Sequence, residues 1–275
     1  MNRKPITFIA IQGCSCAGKS VFSDFLYRNL RKSVSVDFLR LDDFYAGTEF
    51  DYRDEKAATY DFDNPAALNW HKIKSVVTQY INGDKEICGS QYDFSSQKRK
   101  DIFYKNTFPE VILVEGIYAF NLFNTQEFDC DLLDPFKQPL EHSGNFVKEN
   151  DFLKKVILEN NCKVIKVELK LEKEKMKTIR MRRDMGARYA DSSVKFRDML
   201  EKRFETLIWP ATEKWVLSKN NFADILIENG TFNMKKCKEV GENIFKMFDE
   251  KIDSVIEREE MLFDKMLNLS DLNIL

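Results

Sequence analysis

The chain has 275 residues with 43% hydrophobic content, and its 43 Lys and Arg nearly balance 45 Asp and Glu to give a net charge of −2. This balance gives no global reason to expect a nucleic acid or an anionic membrane as a partner. The six cysteines and two histidines show no zinc-type spacing, and scattered free thiols are typical of a reducing compartment. The hydrophobic content is ample for a core. Because no apolar run approaches membrane-spanning length, the sequence predicts a cytoplasmic protein.

The first predicted strand covers residues 6–11 and leads into the segment 13–20. This segment fills every fixed position of the phosphate loop G-x-x-x-x-G-K-[S/T], and apolar residues at helical spacing follow it. In such a loop the unpaired backbone N–H groups bind phosphate, the lysine neutralises its charge and the hydroxyl binds Mg²⁺. We therefore predict contacts to a nucleoside triphosphate from the whole loop: Gly13, Cys14, Ser15, Cys16, Ala17, Gly18, Lys19 and Ser20.

Carboxylates follow two further predicted strands. Asp42 comes directly after the strand at 34–41, and Glu115 follows the buried strand at 111–114. Ligands bind beyond the carboxyl ends of parallel strands, so both side chains are expected near the phosphate loop. A carboxylate in the position of Glu115 is the usual second partner of a phosphate-loop magnesium ion, together with the hydroxyl of Ser20.

Between these two strands the sequence predicts a helix and a hairpin. Asn64 and Pro65 have the residue types of a helix cap and first helical position, and the apolar periodicity that follows ends at Gly83. Residues 87–108 are predicted to form a hairpin or loop excursion.

An insertion is predicted at residues 121–162, where prolines and a glycine interrupt the periodicity and one helix is expected at 149–159. A strand at 164–169 then precedes a strongly basic helix. For most of its lysines a solvated face is the preferred interpretation. In a phosphoryl-transfer enzyme, however, arginines on a movable helix would stabilise charge on the transferring group, and we assign this lid function to Arg180, Arg183 and Arg188.

The rest of the chain predicts a helix at 193–209, a last strand at 223–227 and a helical C-terminal extension at 231–275 for packing or dimerisation. No internal repeat or low-complexity tract occurs. We therefore expect residues 1–275 to form a single domain.

The phosphate loop alone does not separate a GTPase, an ATPase motor and a small-molecule kinase. A GTPase should carry a D-x-x-G switch and an N-K-x-D motif, and this sequence contains neither. An ATPase motor usually needs a longer chain, but the sequence does not exclude a motor. A small-molecule kinase needs a carboxylate near the acceptor hydroxyl, a closed pocket and cationic groups on a lid, and the chain has candidates for all three.

Ordered motifs from the phosphate loop onwards resemble the uridine kinase family, whose members are relatives of phosphoribulokinase. After the loop come LDDFY at 41–45, YDFDNP at 60–65, QYDF at 91–94, RK at 99–100, VEGI at 114–117, RD at 183–184 and FADILI at 222–227. The resemblance implies a doubly wound parallel sheet of the P-loop kinase type, a small β-hairpin at the nucleoside pocket and a helical lid. It also implies ATP and Mg²⁺ as cofactors, with GTP left open as the donor.

The resemblance implies functions for residues on the acceptor side. Asp42 would take the proton from the substrate 5′-hydroxyl and help to order Mg²⁺, which suits a carboxylate because an alcohol is a poor nucleophile. Asp63 would bind ribose hydroxyls. Tyr45 would lie next to the attacked hydroxyl, and the aromatic walls around the base would be Phe62, Tyr92 and Phe94. Core packing is the competing interpretation of these rings.

Several positions depart from the family pattern. Gln97 stands where the family usually has a histidine that reads the pyrimidine ring, although Gln can also donate and accept. Arg203 stands where a glutamine reaches the sugar, and a cation there could favour an acidic substrate. Ile179 replaces one of two paired lid arginines, and a strand aspartate is lost near Lys170. These departures affect the substrate assignment more than the reaction type.

The sequence therefore predicts an ATP-dependent nucleoside 5′-kinase, a uridine or cytidine kinase that acts on a small-molecule nucleoside. Two alternatives stay open: a related kinase for another alcohol, such as nicotinamide riboside or an acidic metabolite, and a catalytically weak nucleotide-binding or scaffold protein. Retention of Lys19, Ser20, Asp42 and Glu115 argues against the last. Homo-oligomerisation is left open, and neither a nucleic acid nor a membrane is expected as a partner.

Overall fold

The computed structural model describes residues 5–46, 60–94, 96, 98–188, 193–217 and 222–248. The strands in this part of the chain are β1 (Thr7–Gly13), β2 (Val36–Arg40), β3 (Glu86–Asp93), β4 (Lys98–Lys105), β5 (Val111–Gly116), β6 (Gln126–Phe128), β7 (Val147–Glu149), β8 (Lys163–Leu169) and β9 (Ile225–Ile227). The main helices are α1 (Lys19–Leu30), α2 (Trp70–Asn82), α3 (Lys173–Arg183), α4 (Val194–Arg203) and α5 (Met234–Lys246).

The central sheet has five parallel strands in the order β2-β5-β1-β8-β9. Strand β1 lies in the middle, so the strand order reverses beside the segment that carries the phosphate loop. In open sheets of this kind the ligand site lies at that reversal, beyond the carboxyl ends of the strands. The predicted α/β class with a doubly wound parallel sheet is confirmed.

Alternate residues of β1 divide the core into two layers. Phe8 and Ala10 face a cluster that includes α2, whereas Ile9 and Ile11 face a second cluster that includes α1 and α5. Every residue of β1 and of β5 is buried. Burial on both faces explains why these strands read as continuous apolar runs rather than as alternating ones.

Two antiparallel hairpins lie outside the central sheet. Strands β3 and β4 pair from Glu86 with Lys105 to Asp93 with Lys98, which confirms the hairpin predicted at 87–108. Strands β6 and β7 pair within the predicted insertion at 121–162, where the sequence indicated only a helix. With three residues each, β6 and β7 are too short to show an alternating pattern. The expected helix is present as a short helical segment over 151–158.

The helix predicted from Pro65 is interrupted. Asn64 caps a single 3₁₀ turn at Pro65–Ala67. Helix α2 begins only at Trp70, where the side chain of Asn69 caps it by accepting a hydrogen bond from the backbone N–H of Lys72. Leu68 between them is extended and forms a β-bridge with Tyr45. A second cap therefore restarts the helix where the sequence pattern suggested one continuous element.

The helix predicted at 193–209 is longer than expected. After α4 the helical path continues through π-helical turns at Phe204–Ile208 and Thr212–Val216, with Trp209–Ala211 between them. Pro210 lacks the N–H that an α-helical turn would use, and the wider turns on either side accommodate it. The basic helix likewise ends its α-helical part at Arg183 and continues as a π-helical turn to 188. Within the predicted extension at 231–275 the described helix is α5, and the stretch beyond 248 lies outside the described residues.

Candidate active site

The loop between β1 and α1 is held by close backbone contacts that leave no room for side chains at its two glycines. A Cβ atom on Gly18 would lie 2.0 Å from Thr231 Oγ1, and Gly18 has a φ of 85°. A Cβ on Gly13 would lie 2.2 Å from the carbonyl oxygen of Leu169. Thr231, which sequence reasoning did not single out, also donates its backbone N–H to the Ala17 carbonyl at 3.2 Å. The loop therefore has the narrow backbone geometry that a phosphate cradle requires.

Lys19 opens α1 and is only 8% exposed. Its Nζ donates to the carbonyl oxygen of Cys14 at 3.0 Å, within the loop itself. No carboxylate of the described residues lies within 4.0 Å of this ammonium group, and the first turn of α1 contains no acid. A buried positive charge at a helix N-terminus, held only by a carbonyl, is suited to neutralise phosphate oxygens. Burial raises the pKa of the neighbouring Cys14 thiol to about 11.

The predicted metal ligands lie together at the carboxyl edge of the sheet. Ser20 Oγ donates to Glu115 Oε1 at 2.7 Å. Glu115 pairs with Arg40 across β5 and β2, and Asp42 follows Arg40 by two residues. Burial raises the pKa of the Glu115 carboxyl, the charge of Asp42 raises it further, and Lys19 and Ser20 act in the opposite direction.

These oxygen donors fit Mg²⁺, which prefers carboxylate and hydroxyl oxygens together with water and substrate phosphate. A cation would also offset the electrostatic repulsion between the carboxylates of Glu115 and Asp42. Among the described residues no group of three or more His, Cys, Asp and Glu side chains could hold a metal by itself. The remaining ligands would therefore be phosphate oxygens and water.

Asp42 lies in a single 3₁₀ turn, Leu41–Phe44, which directly follows β2. Leu41 and Phe44 are buried and anchor the turn, while the Asp42 side chain is exposed. Its charge acts on Glu115, so the two carboxylates are neighbours. An exposed carboxylate in this position can reach a hydroxyl group that enters from solvent.

Two arginines of α3 face opposite sides of the site. Arg180 Nη1 lies 3.2 Å from Asp63 Oδ2, and its Nε lies 3.5 Å from Asp184 Oδ2. Arg183 Nε donates to Asp184 Oδ1 at 2.9 Å, and its Nη1 donates to Ser15 Oγ of the phosphate loop at 3.4 Å. Although burial alone would lower the pKa of Arg180, the charges of Asp63 and Asp184 keep it above its ordinary value.

One helix therefore connects the phosphate loop with the predicted acceptor side. Asp184, which the RD motif contained without an assigned function, holds both guanidinium groups in place. Arg188 falls in the π-helical turn after α3, and its side chain lies outside the described part of the structure.

The aromatic residues predicted to surround the base form one cluster. The ring centroid of Tyr45 lies 6.1 Å from Phe62, 5.3 Å from Tyr92 and 6.1 Å from Phe94. Tyr92 and Phe94 are 5.0 Å apart. These rings come from three separate segments, of which the β3–β4 hairpin supplies two. Gln97 lies outside the described residues.

Arg203 braces this cluster from the side of α4. Its Nη2 donates to the carbonyl oxygen of Tyr60 at 2.8 Å, and its guanidinium carbon lies 5.6 Å from the centroid of the Phe62 ring. The residue is thus next to Phe62, one of the rings predicted to surround the base, whereas the family resemblance implied a position that reaches the sugar. It contacts the segment that also carries Asp63.

A buried carboxyl group beside Asp63 was missed in the sequence analysis. Asp61 is 1% exposed, its Oδ1 accepts the backbone N–H of Asp63 at 3.0 Å, and its Oδ2 has no hydrogen-bond partner among the described residues. Burial, and then the charge of Asp63, raise the pKa of Asp61 well above its ordinary value. Tyr118, also missed, donates its hydroxyl to the Asp63 carbonyl. Only their position near recognised motifs could have pointed to these two residues.

Comparison with known proteins supports the motif assignment. The model of the phosphoribulokinase / uridine kinase family matches residues 8–129. A uridine kinase of Mycoplasma pneumoniae is 29% identical over 120 residues, which are 42% of this chain and 54% of that protein. A uridine kinase of Mycoplasma genitalium is 28% identical over 120 residues, with the same coverage of 42% and 54%. The chain thus spans about half the length of the curated relatives it matches.

The fold also has a counterpart among solved structures. A kinase assigned to a fructose transport system in Silicibacter sp. TM1040 superposes with a TM-score of 0.54 at 12% identity, covering 82% of this chain and 91% of that one. At this identity the likeness concerns the fold alone. No helix among the described residues has the length and apolarity needed to cross a bilayer. The segment 8–129, with its phosphate loop and ordered motifs, is thus similar to the phosphoribulokinase / uridine kinase family, and the resemblance stated from the sequence is confirmed.

Proposed function

We propose that the protein is an ATP-dependent nucleoside 5′-kinase that converts uridine or cytidine to the monophosphate with Mg²⁺. The observation that carries this proposal is the placement of α3, whose Arg183 contacts the phosphate loop while Arg180 contacts Asp63. A phosphoryl group that passes from a nucleotide at the loop to an acceptor at Asp63 would move along this pair of guanidinium groups. Cations placed there stabilise the charge of the transferring group.

Each side of the cleft has a chemical task in this proposal. Bound Mg·ATP would supply the phosphoryl group, and Lys19, Ser20 and Glu115 would hold it. On the acceptor side Asp63 would accept hydrogen bonds from ribose hydroxyls, and the aromatic cluster of Tyr45, Phe62, Tyr92 and Phe94 would stack on the base. Asp42 would orient the 5′-hydroxyl and take its proton.

A second candidate function is the phosphorylation of a small alcohol that carries an acidic group. The observation in its favour is the positive charge of Arg203 beside Phe62 on the acceptor side. Against it, the Arg203 guanidinium already donates to Tyr60, so part of its hydrogen-bonding capacity holds the pocket wall in place. The third candidate function is that of a catalytically weak nucleotide-binding protein. The cytoplasmic location stays a prediction, and the oligomeric state stays open.

The experiment that tests the proposal is steady-state phosphorylation by Mg·ATP across a panel of acceptors. The panel contains uridine, cytidine, purine nucleosides, nicotinamide riboside, pantothenate and ribulose 5-phosphate. We expect the highest kcat/KM with uridine or cytidine. Preferred turnover of an acidic or non-pyrimidine acceptor would replace the proposal by the second candidate, and no turnover of any acceptor would favour the non-catalytic reading.

A further inference from the structure

A cavity of about 180 Å³, lined by both apolar and polar side chains, lies beside the candidate active site and has no place in the proposed reaction. It opens between the sheet and the segment at 121–128, and its walls include Gln12, Tyr118, Asn121, Asn124, Thr125 and Lys166. Its volume is several times the roughly 30 Å³ that one water occupies in the liquid. The cavity can therefore hold a small solute as well as a few waters.

Two amide side chains in this cavity have their orientation fixed by the protein. Gln12, which is 2% exposed, accepts the backbone N–H of Phe120 through Oε1 at 3.0 Å. Asn121 accepts the backbone N–H of Phe128 through Oδ1 at 2.8 Å. A backbone N–H can only donate, so neither amide can be turned around without losing its bond. Each therefore keeps its NH₂ group for other partners, and in the described part of the chain that group has none.

Lys166 fixes a third amide in the same way. Its Nζ donates to Asn124 Oδ1 at 3.3 Å, and because an ammonium group has no acceptor, Asn124 also leaves its NH₂ group for the cavity. No carboxylate of the described residues lies within 4.0 Å of Lys166 Nζ. Asp224, the acid beside Lys166, accepts its backbone N–H at 2.7 Å instead.

The acid on the cavity wall is already neutralised. Glu127 forms an ion pair with Lys74, which comes from α2. The charge that the wall offers to a solute is therefore that of Lys166. Together with the three NH₂ groups of Gln12, Asn121 and Asn124, it places four donor groups on this wall.

We propose that this cavity binds a small oxyanion, a carboxylate or a phosphate, through Lys166 and the side-chain amides of Gln12, Asn121 and Asn124. An oxyanion accepts hydrogen bonds and donates none, so it complements a wall of donors with one uncompensated positive charge. Charge-assisted hydrogen bonds of this kind are the stronger class.

The position of the cavity connects it with both halves of the candidate active site. Gln12 directly precedes Gly13, the first residue of the phosphate loop. Tyr118 lines the cavity and donates its hydroxyl to the carbonyl oxygen of Asp63. A bound oxyanion would contact side chains that lead to the loop and to the acceptor side, so its binding is expected to be coupled to that of nucleotide or acceptor.

The test is calorimetric titration with inorganic phosphate and, separately, with malonate in a chloride buffer. Because phosphate also suits the phosphate loop, the titrations are run in the wild type and in Lys19→Ala. We expect saturable binding of at least one probe to persist in Lys19→Ala and to weaken about tenfold or more in Lys166→Met. Lys163→Met is the matched control, since this exposed lysine lies on β8 outside the cavity, and it should bind as the wild type does.

The two probes separate the classes of oxyanion, because the one that saturates identifies phosphate or carboxylate as the ligand. Asn124→Leu, which keeps Lys166, guards against loss of binding through misfolding and should also weaken it, with thermal melts as the check on folding. Phosphate binding that disappears in Lys19→Ala with no malonate binding, binding that Lys166→Met leaves unchanged, or no saturable binding of either probe would overturn the proposal. The readout needs no kinase activity, so it is independent of the proposed function.

Discussion

The nucleotide side and the acceptor side of the candidate active site use their charges differently. On the nucleotide side Lys19 is held only by the Cys14 carbonyl, five residues away, and has no acid within 4.0 Å among the described residues. On the acceptor side Asp63 is paired with Arg180, which is 117 residues away, and Arg203 reaches Tyr60 over 143 residues. The lysine of the first side is thus held within its own loop, whereas the arginines of the second side are held by contacts between distant segments.

This difference suggests how the two substrates would be received. A nucleotide can bind to a loop that is already complete, because no internal pair has to be broken. In the proposed reaction an acceptor would have to compete with Arg180 for Asp63, since this carboxylate is already paired with Arg180 of α3. Acceptor binding should then release Arg180 towards the transferring phosphoryl group. The following predictions test the two sides separately.

The largest effect is expected from Lys19→Ala. Loss of the buried ammonium group should lower kcat/KM by about 10²–10³, because its charge has no substitute near the loop. Lys32→Ala, at an exposed lysine two residues after the end of α1, should stay within twofold of the wild type. Steady-state kinetics with varied Mg·ATP measure both. A loss of less than tenfold in Lys19→Ala would show that the loop is not the nucleotide site.

The ion pair on the acceptor side is tested by Arg180→Gln and Asp63→Asn. Arg180→Gln should lower kcat about 100-fold, since it removes charge stabilisation from the transferring group. Asp63→Asn should mainly raise the KM for the nucleoside. In the double variant the loss of transition-state stabilisation, calculated from kcat/KM, should be smaller than the sum of the losses in the two single variants, because the side chains form one pair. Arg182→Gln, an exposed arginine on the same helix, is the control. Strict additivity would show that the pair does not act as a unit.

Arg203→Ala tests whether this residue braces the pocket wall. Without the hydrogen bond to the Tyr60 carbonyl and the contact with Phe62, the KM for the nucleoside should rise about tenfold. The KM for Mg·ATP should change less than twofold, because the loop on the other side is untouched. Initial rates with each substrate varied in turn provide the comparison. Equal changes in both KM values would remove the distinction between the two sides.

The smallest effect concerns Asp61 and depends on pH. Burial raises the pKa of Asp61 well above its ordinary value of 3.8, so the folded chain holds the proton more tightly than the unfolded chain. The contribution of Asp61 to the free energy of unfolding is therefore fully present below the pKa of the unfolded chain. It is lost as pH rises towards the higher pKa of the folded chain. Asp61→Asn avoids this loss and should raise Tm by about 2–4 °C at neutral pH, with little gain near pH 4. The exposed Asp84→Asn should change Tm by less than about 1 °C at either pH. A gain of equal size at both pH values would contradict the assignment.

The structural elements of the proposed nucleotide side could be predicted from local sequence patterns. The phosphate loop, the strand before it and Glu115 after β5 are local patterns whose spacing fixes their geometry. The acceptor side could be located only through family motifs, because Asp63 meets Arg180 through tertiary packing. Asp61 and Tyr118 illustrate the limit. One lies inside a recognised motif and the other directly after one, but their burial and their contacts with Asp63 exist only in the folded chain.

Element boundaries failed where a local signal was overridden. Asn64 and Pro65 did start a helical turn, but the bridge between Leu68 and Tyr45 stopped it, and the true start of α2 is at Trp70. The helix after α4 did not end before Pro210, because π-helical turns absorbed the missing N–H. Neither the bridge nor the π-helical turns have a sequence signature of their own.

The most direct test of the proposed kinase is to measure uridine phosphorylation and Mg·ATP binding side by side for the wild type and Asp42→Asn. The proposal predicts that the wild type turns over uridine or cytidine. In Asp42→Asn turnover should fall by about 10²–10⁴, because the group that takes the hydroxyl proton is lost. The Kd for Mg·ATP should stay within about threefold, since Lys19 and the loop remain. A wild type that phosphorylates no nucleoside, or an Asp42→Asn variant that keeps its turnover, would contradict it.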